Sequence, residues 1–292
     1  IRAAVEQGNS EAKLQLGLIY RRGEGVEQDS GKCVYWARQA AEEGLASAQC
    51  VMGRALLDGE GIEQNEAEAV KWFRTAAEAG DEDAQCALGN CLRTGSGVEK
   101  NPEEAFEWMT RSADAGNEEA QDALTEMYSD GEGTELDLEE AARWHRRLAE
   151  SGNAWHQFML ANCYWNGWGA EENNEKAAKW YQAAVDQEMP LAFVGLGKCY
   201  ELGFGVDQDK EEAFLNYQKA YEIGIDDRAV SALAWCYQFG NGVEQNIEES
   251  KKLYLEAAES GDSDAKRYIG DLYRYPEGRE EFEPDMQEAM KW

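Results

Sequence analysis

Apolar and small residues at Ala12, Leu16, Ile19 and Tyr20 are spaced i, i+4, i+7, i+8, which places them on one face of a helix over roughly residues 10–22. The GxG element Gly23/Gly25 ends that run, because glycine accepts the left-handed conformation that closes a helix. A second helix is predicted to start at Asp29, a good N-cap residue. The same signals then return along the chain. Glycine recurs every 36 residues at Gly8, Gly44, Gly80, Gly116 and Gly152, Glu188 takes the next slot, and Gly224 resumes it. GxG follows at Gly59/Gly61, Gly95/Gly97, Gly131/Gly133, Gly167/Gly169, Gly203/Gly205 and Gly240/Gly242. N-cap residues follow at Asn65, Asn101, Asp137, Asn173, Asp209 and Asn246. Glu68, Glu104, Glu140, Glu212 and Glu249 stand three residues after their caps, the spacing of a capping box. Pro102 directly follows its cap, where proline is tolerated.

One helical pair cannot bury both of its faces, whereas stacked pairs can. The expected architecture is therefore all-α, a right-handed α-solenoid of helix-turn-helix repeats with a 36-residue period and a concave and a convex side. Residues 1–292 read as a single array: 1–7 end a preceding repeat, seven complete repeats fill 8–260, and 261–292 form an incomplete eighth. The chain is expected to be a piece of a longer array, with its native N-terminus missing.

Composition narrows the function. The 292 residues carry 59 acidic and 28 basic side chains, a net charge of −31. So acidic a surface repels phosphate and anionic lipid, which argues against nucleic-acid and membrane-surface partners. No apolar run reaches the ~18–20 residues needed to span a bilayer. The seven cysteines, Cys33, Cys50, Cys86, Cys91, Cys163, Cys199 and Cys236, are odd in number and lack CxxC spacing. They read as free buried thiols, and the expected compartment is the cytoplasm.

The pattern G…A…LG..Y..G.GV..D..KA..WY..AA..G, carried by Gly8, Ala12, Leu16-Gly17, Tyr20, Gly23, Gly25-Val26, Asp29, Tyr35-Trp36, Lys71-Trp72-Phe73 and Ala76-Ala77, resembles the Sel-1-like repeat, a relative of the tetratricopeptide repeat. The resemblance covers essentially the whole chain. It implies a helical scaffold that recruits other proteins. Thr125, Ala161 and Asn216 depart from the pattern. Some secreted members carry a disulfide in each repeat. Here Cys91, Cys163, Cys199 and Cys236 recur at one position without a recurring partner, so that subgroup and its reported penicillin-binding or β-lactamase activity match poorly.

Function is then sought in what varies between repeats. Positions Glu11, Leu14, Leu18, Arg21 and Arg22 form one stripe of the first helix, which in tetratricopeptide-type arrays lines the groove. In the fourth repeat the stripe carries the carboxylates Glu119, Asp122, Glu126 and Asp130. In the fifth to seventh it carries Trp155, Phe158, Trp165, Leu202, Trp235 and Phe239, and Trp168 and Phe204 occupy the middle of the GxG. These residues are the candidate partner-binding set, an acidic band beside an aromatic one. The alternative is that the rings pack on one another or stiffen an irregular junction near Met189-Pro190. The expected partner is another protein, a short peptide or helix with basic and apolar residues. Self-association through the unfinished ends remains a second mode. Trp36, Trp72, Trp108, Trp144 and Trp180 recur in register and are read as packing residues.

No catalytic, metal or cofactor site is expected. No GxSxG, HExxH or P-loop pattern occurs, and the GxG elements follow helices rather than strands, so they are not dinucleotide fingerprints. Of the two histidines, His145 is read as a packing or surface residue and His156 as a partly buried polar contact beside Trp155. The favoured function is a non-enzymatic scaffold or adaptor. A regulatory subunit of a membrane or envelope complex and an enzyme of the penicillin-binding type are the alternatives.

Overall fold

Every expected N-cap forms. The side chains of Asp29, Asn65, Asn101, Asp137 and Asn173 each accept the backbone N–H three residues on, at 2.9–3.1 Å. Asp209 accepts two, from Glu211 and Glu212, and Asn246 accepts that of Glu249. The expected capping box does not form. Its glutamate should accept the N-cap backbone N–H, but that N–H is already bonded to a carbonyl of the preceding helix: Asn65 to Leu56 at 2.8 Å, Asn101 to Leu92 at 3.0 Å, Asn246 to Tyr237 at 2.9 Å. The cap thus ties the two helices of a repeat together, and the glutamates meet the cap's side chain instead of its backbone: Glu68 and Glu104 accept from the Asn65 and Asn101 side-chain amides at 3.3 Å. Glu104 also accepts from Arg74 at 2.6 Å and from the Trp108 indole at 3.3 Å.

The computed structural model describes residues 1–224, 227–274 and 291; among these every regular element is a helix and there is no strand. First helices are α2 (Ser10–Arg22), α4 (Ala46–Asp58), α6 (Glu82–Thr94), α8 (Glu118–Asp130), α10 (Ala154–Asn166), α12 (Pro190–Leu202) and α14 (Asp227–Phe239). Second helices are α3 (Ser30–Glu42), α5 (Glu66–Glu78), α7 (Pro102–Ala115), α9 (Leu138–Glu150), α11 (Asn174–Val185), α13 (Lys210–Ile223) and α15 (Ile247–Ser260). The short α1 (Arg2–Glu6) precedes them and α16 (Ser263–Arg274) opens the eighth repeat. The second helix expected for that repeat lies outside the described residues. The chain divides into two units, Ile1–Ala141 and Ala142–Trp292. Within each, a first helix packs on its own second helix, and that second helix packs on the next first helix.

The core of a repeat lies one residue beyond the expected tryptophan. Trp36, Trp72, Trp144 and Trp180 are half-buried and only Trp108 is buried, while Ala37, Phe73, Met109, His145, Tyr181, Tyr217 and Tyr254 are buried throughout. The indoles lie at the rim of the helix pair, their apolar body packed and one edge wet. Arg111 stacks on Trp108 and Arg147 on Trp144, at 4.6 and 5.1 Å. The next residue fills the pair's interior, and full burial of a ring such as Phe73 contributes about 1.5–3 kcal/mol. The glycine of Leu-Gly makes room for it: a Cβ on Gly53 would lie 2.5 Å from the Phe73 ring, and one on Gly197 would lie 2.5 Å from that of Tyr217.

The second glycine of the GxG acts between repeats at Gly61, Gly97, Gly205 and Gly242. Gly61 has φ 73°, and a Cβ there would lie 2.4 Å from the Ser30 carbonyl of the preceding second helix. Repeats are also joined by a ladder of buried glutamines. The side-chain amides of Gln49, Gln85, Gln121 and Gln157 donate to the carbonyls of Ala41, Ala77, Ala113 and Ala149 at 3.0–3.2 Å, satisfying second-helix ends that would otherwise be buried without partners. Glu188, in the glycine slot, keeps the left-handed conformation at φ 57° and is the one non-glycine with positive φ among the described residues.

Candidate functional site

The stripe on the first helices is not uniformly open. Its second position is closed in five repeats: Leu14, Cys50, Cys86, Phe158 and Val194 are all buried. At two junctions of the first unit its third position reaches the first position of the next repeat. Arg54 pairs with Asp83 at 3.7 Å, and the Asn90 amide donates to Glu119 at 2.8 Å. The stripe is therefore a ladder of side chains crossing from repeat to repeat.

In the first unit this ladder is polar. Glu119, Asp122, Glu126 and Asp130 all lie exposed on or at the end of α8. They are not a bare anionic cluster, since Arg93 reaches Glu126 at 3.6 Å and Glu132 at 2.8 Å. Such pairs at the surface are worth at most about 1 kcal/mol.

In the second unit the ladder turns aromatic. Trp155 is 47% exposed, Trp168 51% and Phe239 57%, and Phe204 and Leu202 are exposed beside them. Trp165 and Trp235 are half-buried. Phe158, expected among the binding rings, is buried, because its stripe position packs inward. The rings form a connected series: Trp155 to Phe158 at 5.8 Å, Phe158 to Tyr181 at 6.1 Å, Tyr181 to Trp165 at 6.3 Å, and Trp165 to Phe204 at 5.7 Å. Trp235 and Phe239 pair separately at 5.5 Å. Both sequence alternatives are thus realised in part: the rings do pack on one another, and their outer members stay open.

The series walls a pocket of about 280 Å³. Phe158, Tyr181, Trp165 and Trp168 supply rings, and Lys198 and Arg228 supply the charged lining. Tyr181 is fixed by its hydroxyl, which donates to the Asn162 side-chain oxygen at 2.6 Å. Burial pushes the Tyr181 phenol up, with a smaller downward pull from Arg228. Tyr181, Lys198 and Arg228 were not in the sequence-derived set. Lys198 and Arg228 do occupy stripe positions, but nothing local in the sequence marks them as sharing a pocket.

The histidines meet in the same unit. His145 on α9 and His156 on α10 are 6% and 2% exposed, with their Nδ1 atoms 2.8 Å apart. One ring must donate and the other accept, so the two cannot both be protonated in this contact. Burial, and to a lesser degree the charge of His156, lowers the His145 pKa to about 4. The pair joins α9 to α10. All seven cysteines are buried free thiols, and burial pushes Cys50, Cys86, Cys199 and Cys236 up to about 12, which leaves them unreactive. Among the described residues no three His, Cys, Asp or Glu side chains converge as a metal site. Nor is any of their helices long and apolar enough to cross a membrane.

Stacked helix pairs, left-handed glycine caps and a cross-repeat ladder define an α-solenoid of helix-turn-helix repeats. The chain belongs to the Sel1 repeat family, whose repeat matches it seven times, at residues 10–45, 46–81, 82–117, 119–153, 157–189, 192–225 and 228–262. A protective antigen with an SLR fold from uropathogenic Escherichia coli strains is 34% identical and superimposes with a TM-score of 0.91 over 100% of this chain and 62% of that one. The chain therefore spans about three-fifths of the length of that relative. A Sel1 repeat protein from Oxalobacter formigenes is 28% identical, with a TM-score of 0.66 over 93% of this chain and 79% of that one. No curated protein matches the chain in sequence. The Sel1 repeat fold is in general a scaffold for protein–protein interaction and is typically non-enzymatic.

Proposed function

We propose that this chain is a non-enzymatic scaffold that binds a segment of a partner protein on the first-helix face of repeats five to seven. The observation that carries the reading is the set of aromatic residues in the second unit, with Trp155, Trp168, Phe204 and Phe239 exposed and Trp168 lining a pocket with Phe158, Trp165 and Tyr181. Most repeats hold polar residues at these positions. Large rings left in water cost free energy, which a partner that covers them recovers at about 25 cal/mol per Å². A rigid wall already packed from behind loses little entropy on binding. The basic character expected of a partner rests on the α8 carboxylates and concerns the first unit. The seven unpaired thiols favour a reducing compartment, the cytoplasm.

The test is affinity capture of partners by the wild-type chain and by a Trp155→Ala/Trp168→Ala/Phe204→Ala variant of equal helicity. A partner retained by the wild type and lost by the variant is the expected result. A partner retained equally by both would exclude this face as the binding surface.

A further inference from the structure

The aromatic pocket is shaped by an exchange of glycines between two repeats. In repeat five the glycine of Leu-Gly is Ala161, so the Tyr181 ring lacks the slot that Gly53 gives Phe73 and Gly197 gives Tyr217. It meets the next first helix instead, where a Cβ on Gly195 would lie 2.5 Å from the ring. The other first helices carry Gln15, Val51, Ala87, Ala123, Met159 or Ala232 at this register. Glycine is a poor residue for a helix interior, and here it admits Tyr181 and lines the pocket beside it.

Tyr181 in turn sets the polar groups of α10. Its hydroxyl donates to the Asn162 Oδ1, which leaves the Asn162 Nδ2 only the Met159 thioether, a weak acceptor at 3.9 Å. One turn on, the Asn166 Nδ2 donates to the Asn162 carbonyl at 3.0 Å, and its Oδ1 accepts from no described residue. Both side chains line the pocket. It therefore offers one amide donor and one amide acceptor a helical turn apart, about 5–6 Å between their Cβ atoms. Among the described residues no carboxylate lines it. Residues 152–170, which include all of α10, hold no Asp, Glu, Lys or Arg, in a chain where 30% of residues are charged.

An uncharged wall with a donor and an acceptor is matched by an uncharged partner group that has both. Main chain is such a group. A residue in an extended segment presents its N–H and C=O along one edge, and successive side chains alternate between the two faces. A helix cannot answer in this way, because its main-chain groups are bonded internally.

Resting on the reading that repeats five to seven bind a protein segment, we infer that this segment is held extended, with its main chain read by Asn162 and Asn166 and one large apolar side chain in the pocket. The Asn162 Nδ2 donates to a main-chain carbonyl of the segment, and the Asn166 Oδ1 accepts a main-chain N–H. The neighbouring side chain packs on Trp165 and Trp168 above Gly195. Because Tyr181 holds the Asn162 amide in place before binding, little side-chain entropy is lost when the bond forms.

The experiment titrates the whole chain with capped heptapeptides that carry a central Phe, Trp or Leu in a Gly-Ser background, to millimolar concentration. The indole N–H resonances of Trp165 and Trp168 report binding, and at least one peptide is expected to shift both. Each backbone amide of that peptide is then replaced in turn by an ester, which removes the N–H and weakens the carbonyl as an acceptor. Esters beside the central residue should weaken binding about three- to tenfold, the worth of one net hydrogen bond, and esters elsewhere should change nothing. One of the sensitive positions should lose its effect in Asn162→Leu and the other in Asn166→Leu. A lactam-bridged helical peptide presenting the same side chain should bind at least tenfold more weakly than the extended one. An ester scan without effect at any position, a helical peptide that binds as tightly, or no response to any peptide would overturn the inference. None of these outcomes touches the broader reading, which fails only if the triple aromatic variant keeps its captured partner.

Discussion

At the scale of single residues, the buried histidine pair shows how one substitution changes the physics of a repeat. Other repeats place Phe73, Met109, Tyr181, Tyr217 or Tyr254 where His145 stands, all apolar or amphipathic and insensitive to pH below neutrality. His145 has its pKa lowered to about 4 in the fold, against an ordinary value near 6.5. Between those values the unfolded chain binds the proton and the folded chain does not, so stability rises with pH across this window. The contribution is complete above about pH 6.5 and is lost as pH falls towards 4, up to about 3 kcal/mol in all. Urea unfolding of the wild type and of His145→Phe at pH 7, 6 and 5 should show the wild type losing stability faster, by roughly 1–2 kcal/mol over that range. Parallel curves would mean that the pair titrates normally. The sequence marked His156 as beside Trp155 and partly buried, but the pairing itself was illegible. It depends on two side chains from successive helices meeting across their packing, which no spacing along either helix encodes.

At the scale of helices and turns, the same GxG dipeptide does different work according to its neighbours. Gly25 and Gly61 occupy the same motif position with nearly the same φ, 71° and 73°. A Cβ on Gly25 would meet nothing within 4 Å, whereas one on Gly61 would lie 2.4 Å from the Ser30 carbonyl. Gly25→Ala should therefore cost only the left-handed penalty, about 1–2 kcal/mol. Gly61→Ala should cost that and about 2 kcal/mol more for the displaced backbone. Urea midpoints of the two variants check it, and equal losses would show that repeats do not touch through this turn. The starts of the second helices and the glycine ends of the first were legible in the sequence because caps and glycine turns are local, whereas the capping box was misjudged because the cap N–H bonds to the preceding helix. The burial of Phe158 and the sharing of one pocket by Lys198 and Arg228 were not, because both depend on the neighbouring repeat.

At the scale of the whole molecule, each unit is a stack whose stability sums over repeats and their interfaces. Within such a stack a ring can serve packing or recognition, and burial decides which. Phe158 and Tyr181 hold the second unit together, while Trp155, Trp168 and Phe204 stand at its surface. The central claim is that these outer rings are there to be bound. The most direct measurement is the thermal midpoint of the Trp155→Ala/Trp168→Ala/Phe204→Ala variant beside that of Phe158→Ala. Removing the buried ring should cost about 3–5 kcal/mol and lower the midpoint by roughly 10 °C. Removing the three outer rings together should lower it by less than about 5 °C. A triple variant that melts as early as Phe158→Ala would make those rings part of the packing and contradict their assignment as a binding face.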